Sequence, residues 1–314
     1  MKKRMKGLLK KILLSIPILN SKVNRYDYLN KLVLDAGFEP GHFYSPVPNL
    51  YEIIEKQNVL FQDKDICSIN MNEQYQRELL LKLKQFYADY LYHRENSDQL
   101  DYRYKKEGAF YRHSDSVFLY SMIRHYKPKR IIEVGSGHSS AIMLDTNEYF
   151  LNKQVEHTFI EPYTQRLEDI LKDTDYEKNK IIKSDVQSVE LTLFETLEEN
   201  DILFIDSTHV SKIGSDVNYL LFEVIPRLKP GVLIHFHDIF YNFEYPKKWI
   251  LQNRYFWNEI YLVRAFLMNN NNYQIELFNS YLHHINRPWF EKEMPECLKG
   301  FERGIGSIWI KKTI

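Results

Sequence analysis

The sequence predicts an α/β fold in which helices cover both faces of a mostly parallel sheet. Two observations carry this prediction. From about residue 106 onward, short apolar runs alternate with amphipathic stretches, and seven of these runs have the length of strands. The last two runs follow each other without a predicted helix, which favours an antiparallel pair at one sheet edge. The predicted strands are Arg130–Val134, His157–Ile160, Ile181–Lys183, Ile202–Ile205, Val232–Phe236, Tyr273–Phe278 and Ser307–Lys311.

The amphipathic stretches between these runs predict the helices that pack on the sheet. Their apolar residues recur at three- and four-residue spacing, which places them on one helical face. Two further helices are predicted ahead of the first strand, and before residue 100 the chain otherwise has the pattern of short helices and loops. The predicted helices are Asn72–Tyr92, Ser116–Tyr126, Ser139–Leu151, Thr164–Lys172 and Asp216–Leu228.

Three segments are predicted along the chain: a basic amphipathic helix over residues 1–20, a mostly helical N-terminal cap over 21–105 and the α/β domain over 106–314. Residues 1–11 carry six Lys or Arg and no acid. The apolar run that follows is too short to cross a bilayer, so this helix either packs on its own domain or lies on an anionic membrane surface. We expect a cytoplasmic protein, with contact of residues 1–16 to the inner face of the membrane as the alternative.

The overall composition excludes several classes of partner. Forty-two basic and 42 acidic residues cancel, which argues against a nucleic-acid binder. Cys67 and Cys297 are the only cysteines, and they are far apart in the sequence. A disulfide framework and a thiolate zinc site are therefore not expected, and a reducing compartment fits. The expected partner is a small molecule or a glycan.

A glycine turn follows the first predicted strand. Glu133 ends that strand, and Gly135-Ser136-Gly137 comes next. Glycines allow a tight turn and a close approach of the backbone to a ligand, and the N–H groups that enter the following helix favour an anionic group. The dinucleotide fingerprint GxGxxG has a third glycine where this chain has Ser140, which disfavours a nicotinamide cofactor.

Acidic residues close the next strands of the predicted sheet. Glu161 ends the second strand, where a carboxylate can accept hydrogen bonds from both ribose hydroxyls. Asp185 follows the third strand and is placed to accept from an adenine amino group. Asp206 ends the fourth strand. Each acid alone has an ordinary explanation as a helix cap or a solvated residue, but four polar strand ends in sequence favour a shared cofactor site.

Seven motifs carry a family resemblance, and they occur in order over roughly 200 residues. They are RIIEVGSGHSS (130–140), FIEP (159–162), KSDV (183–186), DILFIDSTHV (201–210), RLKPGVLIHFHDI (227–239), NEIYLVRAFL (258–267) and GSIWIKK (306–312). On these motifs the chain from about Tyr111 onward resembles class I S-adenosylmethionine-dependent methyltransferases. It is most similar to the bacterial methyltransferase-domain group that includes sugar and natural-product O-methyltransferases.

The resemblance implies a Rossmann-like fold with a seven-stranded, mostly parallel sheet whose last strand is antiparallel. It also implies S-adenosylmethionine as the cofactor. One departure is that Ser139 stands where the family usually has the third glycine of GxGxG, and a small side chain is retained there. The cofactor contacts expected on this basis are Glu133, Gly135, Ser136, Gly137, Glu161, Asp185 and Asp206.

The chemistry is expected at Asp206, His209, His237 and Asp238, near the ends of neighbouring predicted strands. Two arrangements are open. In one, Asp206 and Asp238, together with His237, hold a divalent cation such as Mg²⁺, which lowers the pKa of a substrate hydroxyl, as in metal-dependent O-methyltransferases. In the other, His209 or His237 is a general base, with Asp206 beside it. His235 shares a strand face with His237 and is expected in the core or behind the site.

The predicted function is therefore methylation of a hydroxyl on a sugar, a glycan-related molecule or a small polar acceptor. The loop of residues 41–49 and the residues Tyr111, His113 and Asp115 are candidates to close over the site. Two alternatives are a non-catalytic methyltransferase-fold partner in an envelope-glycan assembly complex and a nucleotide-dependent oxidoreductase. The complete set of strand-end acids disfavours the first, and the missing third glycine disfavours the second.

Overall fold

The computed structural model describes residues 21–22, 24–26, 28, 36–92, 101–106, 109–300 and 305–314. The predicted helix over residues 1–20 lies outside these ranges. The chain divides into two compact units, one of Met1–Gln62 with Leu251–Phe256, and one of Asp63–Ile250 with Trp257–Ile314. The predicted boundary between residues 105 and 106 stays a prediction, and the division found in the structure falls at Gln62. The first unit contains helices α1 (Leu50–Glu55) and α2 (Gln57–Leu60).

The second unit is built on one seven-stranded sheet in the order β3-β2-β1-β4-β5-β7-β6. Strand β7 is antiparallel to both of its neighbours, and every other pair is parallel. This confirms the predicted fold class, a Rossmann-like sheet with an antiparallel last strand. The strands are β1 (Arg130–Val134), β2 (Glu156–Ile160), β3 (Lys180–Ile182), β4 (Ile202–Ile205), β5 (Leu233–His237), β6 (Tyr273–Phe278) and β7 (Ser307–Lys312).

Helices surround this sheet: the first two precede β1, and the others lie between successive strands along the chain. They are α3 (Glu73–Lys84), α4 (Ser114–Tyr126), α5 (His138–Phe150), α6 (Gln165–Glu168), α7 (Asp175–Lys178), α8 (Leu191–Phe194), α9 (Asp216–Tyr219), α10 (Glu259–Leu267) and α11 (Asn279–Glu293). Helix α9 continues as a π-helical turn (Leu220–Val224) and a 3₁₀ turn (Ile225–Arg227). Among the helices of the described ranges, none is both long and apolar enough to cross a membrane.

Helix α11 corrects the sequence prediction, which placed a long loop without a helix between the last two strands. Pro288 lies inside this helix and Asn286 has a non-helical φ of −137°. Proline removes a backbone donor and disfavours helix in the residue before it, so the pattern points away from a helix. Burial outweighs that preference, because Leu282 and Phe290 are fully buried in the main core.

The order of the strands fixes where a ligand can bind. The first strand in sequence, β1, lies between β2 and β4, so the chain winds outward in both directions from this point. A crevice forms at the carboxyl ends of the strands where the winding reverses. All four residues of β4 are buried, which makes this centre of the sheet a rigid support for the loops that follow it.

Three consecutive residues of the segment 101–106, Tyr102, Arg103 and Tyr104, are buried. The Arg103 side chain is 2% exposed. Its guanidinium donates to both carboxylate oxygens of Asp175, at 2.6 and 2.7 Å, and to Asp145 at 3.0 Å and Glu148 at 2.7 Å. The guanidinium thus pairs with three carboxylates, and because Asp145 and Glu148 belong to α5, these hydrogen bonds fix Arg103 to the helix that follows the glycine turn.

Candidate active site

The turn after β1 needs a glycine because a strand end lies against it. Gly135 has φ +89°, and a Cβ at this position would lie 1.8 Å from the carbonyl oxygen of Asp206, at the end of β4. Gly137 has an extended φ of 178°, and a Cβ there would meet only the Arg166 side chain, at 2.9 Å. The first glycine is thus required by the close approach of two strand ends, a reason that the sequence alone does not show.

The carboxylate of Glu133 forms hydrogen bonds with the residues that directly follow this turn. It is fully buried and accepts hydrogen bonds from the hydroxyls of Ser139, at 2.5 Å, and Ser140. The Ser140 hydroxyl in turn accepts from the N–H of Gly137 at 2.9 Å. Burial raises the pKa of Glu133 to about 8, although both serine hydroxyls oppose the shift. The predicted cofactor contact of Glu133 stays a prediction, and the observed partners of its carboxylate are the two serines.

The other predicted cofactor residues lie along the same edge of the sheet. Glu161 follows β2, is half-buried, and accepts from the N–H of Tyr163 at 2.8 Å. Asp185 follows β3, is exposed, and accepts from the Ser188 hydroxyl at 2.9 and 3.0 Å. The Ser136 hydroxyl is buried and has no hydrogen-bond partner within the described residues. The edge therefore presents one unsatisfied hydroxyl and two carboxylates that retain free lone pairs.

Two histidines converge on Asp206 beside this edge. The Nδ1 atom of His237, the last residue of β5, lies 3.0 Å from Asp206 Oδ1. The Nε2 atom of His209 lies 3.5 Å from the same oxygen. Both histidines are buried, whereas the Asp206 side chain is 23% exposed. The structure thus brings together three of the residues predicted to carry the chemistry.

Asp238 and Asp115 complete the acidic surroundings of these histidines. Asp238 Oδ2 is 3.5 Å from His209 Nε2, and its Oδ1 is 3.7 Å from His237 Nε2. Asp115, in the first turn of α4, places Oδ2 3.6 Å from His237 Nε2. Its other oxygen accepts from Asn279 at 2.6 Å, which fixes the carboxylate. Asp115 was predicted only as a residue near the site, and its position opposite His237 depends on a helix that precedes the first strand.

Glu259 is a member of the site that sequence analysis missed. Its carboxylate Oε2 lies 2.8 Å from His209 Nδ1, and both groups are buried. The residue is in the first turn of α10, where an acid is ordinary because of the helix dipole. The motif NEIYLVRAFL marked this helix, but nothing in it signalled a contact with a loop 50 residues earlier.

The pKa values of the cluster follow from its charges. Burial disfavours the charged form of Asp206, but His237 and His209 outweigh burial and hold the pKa of this carboxyl well below its usual range. Burial likewise opposes protonation of His209, yet Asp206 and Glu259 raise its pKa to about 10. Carboxylates also raise the pKa of His237 well above its ordinary value. Burial raises the pKa of Asp238 to about 6 despite both histidines.

The donor atoms of Asp206, His209 and His237 all lie within 4.8 Å of one another. Within the described residues this is the group with the spacing of a metal site, and it contains His209 where the prediction named Asp238. His235 is separate from it: the ring is fully buried and stacks on Phe204 at 3.9 Å, so it belongs to the core.

The loop of residues 41–49 lies in the first unit and forms an aromatic group there. The His42 ring stacks on Phe38 at 4.7 Å and on Phe43 at 4.3 Å. Phe43 and Tyr44 are exposed by 81% and 66%. Its predicted role in contacting an acceptor stays a prediction.

The sheet order, the glycine turn and the polar strand ends together define a Rossmann-like methyltransferase domain. A family model described as a methyltransferase domain matches residues 132–239, from the first strand to the end of the His237–Asp238 pair. An uncharacterised protein of Archaeoglobus fulgidus is 35% identical over 170 residues, which cover 52% of this chain and 76% of that protein. The chain therefore contains a methyltransferase domain over residues 132–239.

Two solved structures illustrate the structural likeness. The methyltransferase PaMTH1 of Podospora anserina, bound to SAH, has 15% identity and a TM-score of 0.41, and the match covers 80% of this chain and 100% of that one. The O-methyltransferase TomG of Streptomyces achromogenes, in complex with SAM, has 11% identity and a TM-score of 0.40, and the match covers 84% of this chain and 96% of that one.

Proposed function

We propose that this protein transfers the methyl group of S-adenosylmethionine to a hydroxyl of a sugar, a glycan-related molecule or a small polar acceptor. The observation that carries the proposal is the cluster of Asp206, His209 and His237 beside the glycine turn. Methyl transfer from a sulfonium is an in-line displacement, so the protein must align the hydroxyl and remove its proton. Imidazole and carboxylate groups at one point of the crevice can do both.

The cofactor is proposed at the edge formed by the turn, Glu161 and Asp185. The unpaired, buried Ser136 hydroxyl can hydrogen-bond a ligand in the turn, and the N–H groups entering α5 favour its carboxylate. The Glu161 carboxylate accepts from the backbone of Tyr163 and of Ser136, and because a carboxylate has about four acceptor positions it can also accept from the ribose hydroxyls. The acceptor class rests on the resemblance of the motifs to those of sugar and natural-product O-methyltransferases.

The cluster also fits a divalent cation. Two imidazoles and the Asp206 carboxylate surround one point, and the 3.0 and 3.5 Å separations of their donor atoms are those of neighbouring ligands on one ion. Two imidazole donors favour Co²⁺ or Zn²⁺ over Mg²⁺, which prefers oxygen. Such an ion, when bound, would lower the pKa of the acceptor hydroxyl. Asp206, His209 and His237 would hold it, with Asp238 beside them.

The same residues can act without a cation. His237 donates its Nδ1 proton to Asp206 in this arrangement, and its Nε2 faces Asp115 and Asp238. An acceptor hydroxyl placed there can transfer its proton to His237 only when the imidazole is neutral, so this route requires prior loss of the proton that the surrounding carboxylates hold on the ring. Asp206 is common to both arrangements, so its removal is expected to abolish methyl transfer in either.

A transfer assay tests this proposal. Purified protein is incubated with methyl-labelled S-adenosylmethionine and a panel of hydroxyl-bearing sugars and glycans, in chelator and after addition of Mg²⁺, Co²⁺ or Zn²⁺. We expect transfer to oxygen, and we expect the double variant Asp206→Ala, Asp238→Ala to lose at least 100-fold of any cation-dependent rate, roughly the scale of a lost acid–base group. Full wild-type activity in chelator would remove the cation from the proposal. Labelling of nitrogen, carbon or sulfur only would contradict it.

A further inference from the structure

A short segment, residues 257–259, leads into α10 and is hydrogen-bonded to the loop that follows β4. The backbone N–H groups of Asn258 and Glu259 both donate to the carbonyl oxygen of His209, each at 3.1 Å. The Asn258 side chain also accepts from the N–H of Ser211 at 2.6 Å and donates to its carbonyl oxygen at 3.2 Å. Four hydrogen bonds therefore join these two segments, which are about fifty residues apart in the chain.

The same segment holds the His209 ring from two sides. The Trp257 ring lies 4.6 Å from the imidazole at an angle of 37°. The Glu259 carboxylate lies 2.8 Å from Nδ1 and is 1% exposed as a residue. His209 itself has φ +59°, a backbone conformation that costs about 1 kcal/mol or more for a residue other than glycine. The strained loop is thus kept in place by contacts from α10.

These contacts leave one ring nitrogen directed at the site. With Nδ1 occupied by Glu259, Nε2 faces Asp206 and Asp238, at 3.5 Å from an oxygen of each. A carboxylate that accepts from one ring nitrogen fixes which nitrogen retains its proton and how the ring is turned. A buried carboxylate that only compensated charge would not require the ring contact with Trp257 or the two backbone hydrogen bonds to the carbonyl oxygen of His209.

We propose that Glu259 is a positioning residue that keeps a proton on Nδ1 of His209, so that Nε2 is the ring nitrogen that gives up its proton and then faces the acceptor hydroxyl or a cation. The importance of this role for catalysis rests on the proposed function. The ring orientation itself does not, because it follows from contacts of the chain alone. Trp257 and Asn258 contribute by holding the ring plane and the loop, respectively.

The variant Glu259→Gln tests the proposal because it keeps the shape and removes the charge. A glutamine amide can donate to Nδ1 as well as accept from it, so the proton is no longer fixed on that nitrogen. The matched control is Glu276→Gln, since Glu276 is also buried and accepts from the hydroxyls of Tyr75 and Tyr126. Circular dichroism of both variants verifies folding.

The direct readout is the ring N–H signal of His209 in protein labelled with ¹⁵N-histidine, assigned by its loss in His209→Gln. We expect a solvent-protected proton on Nδ1 in the wild type and in Glu276→Gln, and its loss or rapid exchange in Glu259→Gln. A protected proton on Nε2 alone, or a signal that Glu259→Gln leaves unchanged, would overturn the proposal. This measurement gives the same answer whether or not the protein transfers methyl groups.

The kinetic readout separates this role from the proposed function. Replacing a residue that holds a catalytic or metal-binding histidine in place typically lowers activity or metal affinity by about 10- to 100-fold. We expect Glu259→Gln to lower kcat by that factor while the KM for S-adenosylmethionine and the affinity for it are unchanged, and Glu259→Asp to restore part of kcat. An equal loss of kcat in Glu276→Gln would contradict a specific role. A wild-type protein that binds no S-adenosylmethionine would instead contradict the proposed function.

Discussion

Replacement of the two glycines of the turn by alanine provides a matched pair of perturbations. At Gly135 the added Cβ would lie 1.8 Å from the carbonyl oxygen of Asp206, and the residue has φ +89°. At Gly137 the backbone is extended and the nearest atom is the Cδ of Arg166, 2.9 Å away. Both substitutions add one methyl group. They differ in whether the neighbour is a strand end or a flexible side chain.

The expected magnitudes follow from these contacts. A left-handed backbone costs alanine about 1–2 kcal/mol, and overpacking against a rigid neighbour costs about 1–3 kcal/mol. Gly135→Ala should therefore lower the free energy of unfolding by about 2–5 kcal/mol. Gly137→Ala should lower it by less than about 1 kcal/mol, because Arg166 can move aside. The displacement in Gly135→Ala also shifts Asp206, so affinity for S-adenosylmethionine should fall with stability, and Gly135→Val should abolish binding.

Chemical denaturation followed by circular dichroism measures the stability change, and titration calorimetry measures cofactor affinity. Equal destabilisation by the two substitutions would refute the reasoning. So would a Gly135→Ala protein with wild-type stability, because the turn would then tolerate a side chain where the structure leaves no room. Unchanged affinity in Gly135→Val would refute the assignment of this turn to the cofactor.

Two further predictions concern stability. Arg103→Met leaves Asp145 buried without its cation and should lower the free energy of unfolding by about 3–5 kcal/mol, measured by denaturant unfolding. The control Arg77→Met removes an exposed ion pair and should lower it by less than about 1 kcal/mol. Similar losses in the two variants would contradict the account. Burial lowers the pKa of His157 to about 4, while the unfolded chain takes up this proton near pH 6.5, roughly its ordinary value. The free energy of unfolding should therefore fall as pH falls from about 6.5 to 4, by up to about 1.4 kcal/mol per pH unit for this group. Denaturant unfolding of His157→Gln over this range should show a smaller slope against pH. An unchanged slope would rule out His157 as its source.

The central strands were predictable because their residues are buried on both faces. Strands β1 and β4 begin and end where the apolar runs predicted them, since continuous apolar runs bounded by polar residues are typical of a parallel sheet between helix layers. The antiparallel edge strand β6 also begins and ends as predicted. Helix α11 was not predictable from pattern alone. Its proline argues against a helix, and only the burial of residues such as Phe290 in the folded core overcomes that preference.

The candidate site was predictable to the extent that it lies at strand ends. Asp206, His237 and Asp238 end neighbouring strands, so their proximity follows from the order of the sheet. Asp115 and Glu259 come from helices at the two ends of the domain sequence, and no spacing relates them to the strands. The reason for Gly135 is also tertiary, because the atom that excludes a side chain belongs to Asp206.

Binding of S-adenosylmethionine to the purified full chain tests the central claim most directly. Titration calorimetry at neutral pH should show one site per chain for S-adenosylmethionine, and no binding of a nicotinamide dinucleotide under the same conditions. The Gly135→Val protein, titrated in parallel, should show no heat of binding. A wild-type protein that gives no signal with S-adenosylmethionine, or that binds the dinucleotide instead, would contradict the account.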